Sequence, residues 1–177
     1  ALIKGAAYSI IDNADYYIDD RTILVNNVLN TLQELASYHR NFLSIPIIAL
    51  TGSNGKTTTK ELILAVLLKK FTAKATTGNL NNHIGVPLTL LSFDDTTEIG
   101  IVEMGANHQK EIEFLCQIAQ PDYGYITNFG KAHLEGFGGI EGVIKGKSEM
   151  YEFLKSNHKL TFINIDDPIQ KEKTSQI

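Results

Sequence analysis

Leu50-Thr-Gly-Ser-Asn-Gly-Lys-Thr-Thr-Thr59 decides the reading of this chain. An apolar run, Ile45 to Leu50, leads into it, and a helical pattern, Lys56 to Phe71, leads out. A buried strand, a glycine turn and a helix N-terminus form together the construction that binds phosphate. Gly52 and Gly55 let the backbone bend so that N–H groups, including those of Ser53 and Asn54, converge on an anion. The helix adds the positive end of its dipole. Lys56 can reach the β- and γ-phosphates, and the hydroxyl of Thr57, with Thr58 beside it, is placed to ligate Mg²⁺. The spacing is G-x-x-G-K-T, and Leu50 stands where the usual P-loop has its first glycine. The plain alternative is a Gly/Asn turn entering an ordinary helix with Lys56 in solvent. The Thr57–Thr59 triplet speaks against it, because β-branched residues are poor helix formers in a first turn.

The chain has 177 residues, enough for one good core or one domain plus part of another. Its 43% hydrophobic and 20% charged content is that of a globular chain with a packed core. A net charge of −4 argues against nucleic acid as a partner, so a bound nucleotide must be met by local positive groups. One cysteine, Cys116, excludes an internal disulfide and suits a reducing cytoplasm; its apolar helical context reads as core. No apolar run approaches membrane-spanning length, and the first residues are too short and polar for a signal peptide. There is no initiator Met, so the chain is expected to begin within a longer protein.

Residues 1–44 read as a small α/β piece: a helix end over Ala1–Ala7, short strands at Tyr8–Ile11 and Thr22–Val25, a polar turn over Asn13–Asp20, and a helix over Asn27–Phe42. From residue 45 buried strands alternate with helices, as in a parallel sheet. Strands are expected at Ile45–Leu50, Ala73–Thr76, Glu98–Glu103, Tyr123–Asn128 and Leu160–Ile165. Helices are expected at Lys56–Phe71, Gln109–Ala119 and Ile140–Asn157, with a shorter one after Pro87. The fold class is therefore α/β, a P-loop-type, mostly parallel sheet flanked by helices, preceded by the end of a small α/β domain.

Ligands of open α/β sheets bind outside the carboxyl ends of the strands. Two further strand ends carry polar residues here. Ile99–Val102 ends in Glu103-Met-Gly-Ala-Asn-His108, and a carboxylate at that point is placed to ligate Mg²⁺, or simply to meet solvent. Tyr125–Thr127 runs into Asn128-Phe-Gly-Lys-Ala-His133-Leu-Glu-Gly-Phe-Gly138, where glycines around His133 suggest a backbone shaped to a ligand. In Thr76–Pro87 the side chains of Asn79, Asn81 and Asn82 can read a polar substrate or cap their own backbone; composition leaves the two equal.

Five stretches in this order resemble the Mur ligase family: Gly52–Thr58, Gly78–Pro87, Glu103–His108, Ala132–Gly138 and Asn164-Ile-Asp-Asp-Pro168. The Asn-Asn-x-x-Gly-Val-Pro and His-Leu-Glu-Gly-Phe-Gly stretches resemble the MurF type, and the late first glycine is normal for the family. The resemblance implies an ATP-dependent, cytoplasmic ligase of peptidoglycan precursor synthesis, monomeric at full length. Its substrates would be UDP-MurNAc-tripeptide and D-Ala-D-Ala, joined through an acyl phosphate. Residues 1–44 would be the end of the UDP-sugar domain and 45–177 the first part of the central ATP-binding domain, with the C-terminal domain absent and no ligation by this chain alone. It implies ATP and Mg²⁺ as cofactors, with Thr57 and Glu103 holding one Mg²⁺ and His133 helping to hold a second. A carbamylated lysine would serve that second metal. Lys145 and Lys147 are candidates, and Lys147, four residues before Tyr151, has the family's spacing. Asn164 would contact adenine, and Asn79, Asn81, Asn82 and His108 would line the muramoyl-peptide side. His83 receives no role. A folylpolyglutamate synthase-like ligase, a non-catalytic nucleotide-binding module and a small-molecule P-loop kinase are the competing readings.

Overall fold

The computed structural model describes residues 1–175; Gln176 and Ile177, the last positions of the expected 45–177 domain, lie outside the described residues. Among the described residues there are two sheets. The small one pairs β1 (Ser9–Ile11) and β2 (Thr22–Leu24) in parallel. The segment joining them carries one 3₁₀ turn, Ala14–Tyr16, capped by Asn13, whose side chain accepts from the Asp15 N–H. The expected helix end at Ala1–Ala7 is a 3₁₀ turn, Leu2–Lys4, closed by Gly5 in the left-handed region. Helix α1 (Val28–Leu43) follows, with Asn27 as N-cap.

The large sheet has five strands, all parallel, in the order β4-β5-β3-β6-β7. They are β3 (Ile47–Thr51), β4 (Ala73–Ala75), β5 (Ile99–Glu103), β6 (Tyr123–Ile126) and β7 (Leu160–Phe162). Between them lie α2 (Lys56–Leu67), α3 (Gly85–Leu91), α4 (Glu111–Ala119), α5 (Leu134–Phe137) and α6 (Ile140–Ser156), and α7 (Pro168–Thr174) closes the described chain. Ile47, Ala49, Val102 and Met104 belong to one core cluster with residues of α1, α3, α4 and α6. The alternate residues Leu50 and Ile101 are fully buried but belong outside that cluster, as a period of two requires, and α2 packs against β3, β4 and β5.

Most element ends differ from the sequence expectation by a residue or two, and three differ for a visible local reason. Helix α2 stops at Leu67, because Leu68–Phe71 close in turn-type hydrogen bonds before β4. Helix α3 begins at Gly85, ahead of Pro87, since a proline in a first turn forfeits only an N–H that lacks an intrahelical acceptor. β7 ends at Phe162, and the chain then turns at Asn164 into α7, which propensity did not signal.

Helix α1 docks on the large unit. Ala36 is fully buried in its core, and Gln33, Ser37, His39 and Arg40 make polar contacts with His83, Gln120, Phe93 and the end of α4. Arg40 donates to the carbonyls of Ala119 and Gln120 and, at 2.8 Å, to Asp122. Asp122 also accepts from the Ile47 N–H and from Lys159. Burial pushes the Asp122 carboxyl up, but the hydrogen bonds from Lys159 and Ile47 and the charges of Arg40 and Lys159 outweigh it and hold its pKa below the ordinary value. Among the described residues no helix is long and apolar enough to cross a membrane.

A depressed carboxylate pKa contributes stability above the unfolded-state value, lost as pH falls through the folded-state value. Asp122→Ala is expected to cost about 2 kcal/mol at pH 7, less than a fully buried pair because Asp122 is partly solvated. Urea titrations of both proteins check this: the difference must shrink once the pH is below the ordinary carboxylate range.

Candidate nucleotide and metal site

In the five-strand order, the chain leaves β3 towards β4 on one side and leaves β6 towards β7 on the other. The carboxyl ends of β3 and β6 therefore flank the crevice where such sheets take ligands. Gly52 leaves β3 with φ 148°, and a Cβ there would lie 1.9 Å from Thr127 Oγ1, so only glycine fits. The turn is fastened to the segment after β6 by five hydrogen bonds. The Ser53 and Asn54 N–H groups donate to the Asn128 carbonyl and side-chain oxygen. The Asn54 carbonyl accepts from Thr127 and Asn128, and the Ser53 hydroxyl donates to the Gly130 carbonyl at 2.8 Å. Ser53 and Asn54 thus spend these groups on shaping the turn.

Gly55, at φ 77°, is the N-cap of α2 and supplies no side-chain cap. The first amides of the helix, Lys56 to Thr58, are the orphan donors of a helix N-terminus, and the first intrahelical bond runs from the Thr59 N–H to the Gly55 carbonyl. Thr57 and Thr58 are exposed. Lys56 folds back, its Nζ donating to the Gly52 carbonyl at 2.9 Å. Burial lowers its pKa, and the nearby charge of Glu103 opposes that fall.

Glu103, at the end of β5, is only 2% exposed. Its Oε1 accepts from Asn81 Nδ2 at 2.9 Å, while its buried Oε2 has no partner. An orphaned buried carboxylate oxygen fits a cation ligand. No three His, Cys, Asp or Glu side chains converge on a metal position among the described residues, so a cation here needs the Thr57 hydroxyl and oxygens brought by a ligand. Lys56, Asn81, Asn82, His133, Asn107 and Glu111 line one cavity of about 360 Å³. His133 is exposed at φ 54° immediately before α5.

The polar loop resolves residue by residue. Asn82 caps α3, its Oδ1 accepting from the Ile84 and Gly85 N–H groups, as the backbone-capping alternative has it. Asn81 instead turns to Glu103. Asn79 is exposed and lies outside the cavity's lining, as does His108, whose Nδ1 is 3.5 Å from Glu111. Asn164 stands apart, beyond β7. Its N–H donates to Gln170 Oε1 at 2.9 Å, and its Oδ1 accepts from the Asp166 N–H.

The sequence model of the Mur ligase middle domain matches residues 50–177. The chain belongs to the Mur ligase family. It is similar to the UDP-N-acetylmuramoyl-tripeptide–D-alanyl-D-alanine ligase of Bacillus subtilis, 44% identical over 147 residues that cover 83% of this chain and 32% of that protein. The ligase of the same name from Escherichia coli is 37% identical over 163 residues, 92% of this chain and 36% of that one. Among solved structures, MurF ligase from Thermotoga maritima in complex with ADP superposes with a TM-score of 0.87 at 35% identity, covering 99% of this chain and 40% of that one. A MurF structure from Acinetobacter baumannii gives a TM-score of 0.86 at 34% identity over 98% of this chain and 38% of that one. The chain thus spans about a third of the length of the curated relatives it matches. The α/β architecture with a parallel sheet flanked by helices is that of these structures.

In this Mur ligase chain the two candidate lysines of α6 differ sharply. Lys145 is exposed, whereas Lys147 is 1% exposed, with its Nζ 5.4 Å from the Phe137 ring centroid. Burial, and then the like charge of Lys56, push the Lys147 pKa down to about 8. The lowered pKa raises the neutral fraction of Lys147, the form that attack on CO₂ requires. Residues that sequence reasoning passed over also shape the site. Gln170 is fully buried and donates to the Ile126 carbonyl at the end of β6, and Tyr151 donates to its Oε1. Lys60 is buried on α2. Lys60 sits inside the expected helix Lys56–Phe71 as one more polar residue, and Gln170 lies past the last expected element, so neither gave a signal.

Because Lys147 has a lower pKa folded than unfolded, the fold is penalised below about pH 8 and relieved as pH rises towards the ordinary lysine value. Lys147→Met is expected to raise stability at pH 7 by roughly 1–3 kcal/mol, with the gain shrinking above pH 8. Denaturant titrations across that range check it. Lys56→Met should raise the Lys147 pKa, read by NMR titration of the lysine Nζ groups.

Proposed function

We propose that this chain is the ATP-handling part of an enzyme that joins D-Ala-D-Ala to UDP-MurNAc-tripeptide, acting in the cytoplasm on small-molecule substrates. Residues 1–44 are read as the end of the UDP-sugar domain and 45–177 as the first part of the central ATP-binding domain, on which α1 docks. One observation carries the reading. The clasped glycine turn, with Lys56 at the helix N-terminus, stands beside Glu103, a buried carboxylate with one unpaired oxygen.

The reaction brings a peptide carboxylate against the γ-phosphate of ATP, and both are anions. The open amides of α2 bind the phosphates, and Lys56, released from the Gly52 carbonyl, places positive charge on the transferring group. Thr57 and Glu103 would hold Mg²⁺, which when bound would neutralise phosphate charge; His133 and a carbamylated Lys147 would serve a second ion. Asn81 fixes the Glu103 carboxylate through Oε1 and leaves Oε2 for the cation. The acyl phosphate so formed would be taken by the amine of the dipeptide. Asn79, Asn82 and His108 are assigned to the muramoyl-peptide side and Asn164 to adenine, two strands beyond the glycine turn across the sheet. Activation of the dipeptide amine is assigned to groups outside this chain, so the chain alone is expected not to complete ligation.

Calorimetry with ATP and Mg²⁺ tests the reading. Saturable binding is expected, weakened at least about tenfold in Lys56→Ala, the order of one lost charge-assisted phosphate contact. Equal binding by the variant, or turnover of UDP-MurNAc-tripeptide by this chain alone, would overturn the corresponding assignment. Folate-stimulated ATP hydrolysis would move the reading to folylpolyglutamate synthase.

A further inference from the structure

Lys60 lies one turn beyond Lys56 on α2 and is 1% exposed. Burying an ammonium is unfavourable unless it is paired, and an apolar side chain would fill the space between α2 and the sheet at lower cost. Its carboxylate neighbour, Glu61 at 2.9 Å, is itself 59% exposed. The inward contact is with the main chain: Lys60 Nζ donates to the Thr76 carbonyl at 2.5 Å.

Thr76 is the residue after β4, where the β4–β5 ladder ends. Its N–H still donates to the Ile101 carbonyl at 2.9 Å. Its hydroxyl then accepts the N–H of Glu103 at 2.9 Å, so a side chain extends the ladder by one step. From Thr76 the chain enters the polar loop, and five residues on Asn81 returns to hold Glu103 Oε1. The Asn81 carbonyl also accepts the Gly105 N–H at 2.7 Å. Lys60 therefore grips the root of a loop that fixes Glu103 twice, once by its backbone and once by its side chain. What remains free is Oε2.

We propose that Lys60 is a positioning residue, acting through Thr76 to aim the free oxygen of Glu103 at the divalent cation that accompanies the nucleotide. This rests on the assignment of Glu103 as a metal ligand. The ammonium never touches the phosphates. It selects one backbone path for Thr76, and that path sets where the Glu103 carboxylate stands relative to Thr57 and the glycine turn.

The test is Mn²⁺ binding to this chain with saturating ATP, read by electron paramagnetic resonance, beside ATP binding measured without metal. Lys60→Met and Thr76→Val are each expected to weaken Mn²⁺ about tenfold, the low end for loss of an outer-shell partner. Thr76→Ser keeps the hydroxyl and should bind Mn²⁺ like the parent. All three should leave metal-free ATP affinity within about twofold, which a general loosening of the fold would not do. The double variant Lys60→Met/Thr76→Val should be no worse than the weaker single variant, because the two residues act in one chain of contacts. Unchanged Mn²⁺ affinity in folded Lys60→Met, with Glu103→Gln strongly impaired, overturns the positioning role and leaves the metal site standing. Unchanged affinity in Glu103→Gln, or no Mn²⁺ binding by the parent chain, overturns the metal site and this proposal together.

Discussion

The glycine turn does not hold its own shape; it is held by the segment that follows β6. Gly52 approaches Thr127 more closely than any side chain would allow, and Ser53, Asn54, Thr127, Asn128 and Gly130 close the contact. That clasp depends on β3 and β6 being parallel neighbours in register, Thr51 beside Ile126. The sheet order is therefore the condition for the site. With β6 elsewhere, the turn would lose five hydrogen bonds and the helix N-terminus would have no fixed aim.

Charge around this clasp is arranged under tension. Lys56 and Lys147 each lose proton affinity to burial, and Lys56 lowers that of Lys147 further. Glu103 works the other way on Lys56. A half-buried Lys56, a buried Lys147 and a buried carboxylate with an open oxygen are costly to the fold and suited to an anionic ligand with a cation. Phosphate charge would satisfy Lys56, and conversion of Lys147 to a carbamate would turn a disfavoured cation into an anion. The same groups that cost the fold stability would favour the bound nucleotide and cation.

Much of this was legible in the sequence. The strand–turn–helix at 45–71 shows itself by an apolar run, two glycines and a lysine, all local signals, and the five strands of the large sheet stand where apolar runs put them. Element ends moved where local turns cut the pattern short, at Leu67 before the turn over Leu68–Phe71 and at Phe162 before the turn at Asn164. Helix α7 was missed because its start depends on the Asp167 cap and on Gln170 reaching the Ile126 carbonyl, a contact 44 residues away. Asn81 and Asn82 are identical neighbours in composition, yet one holds a carboxylate and the other caps a helix.

The sequence by itself determined the class of fold, the family resemblance and the chemistry of the glycine turn, because backbone flexibility, apolar periodicity and residue type are properties of short stretches. Only the tertiary structure decided which polar groups are spent and which are free. The Ser53 hydroxyl, the Ser53 and Asn54 N–H groups and the Asn82 Oδ1 are spent on local and cross-strand bonds, whereas Glu103 keeps one oxygen open and burial lowers the Lys147 pKa. Hydrogen-bond satisfaction and desolvation depend on partners brought from distant parts of the chain, and no local pattern records them.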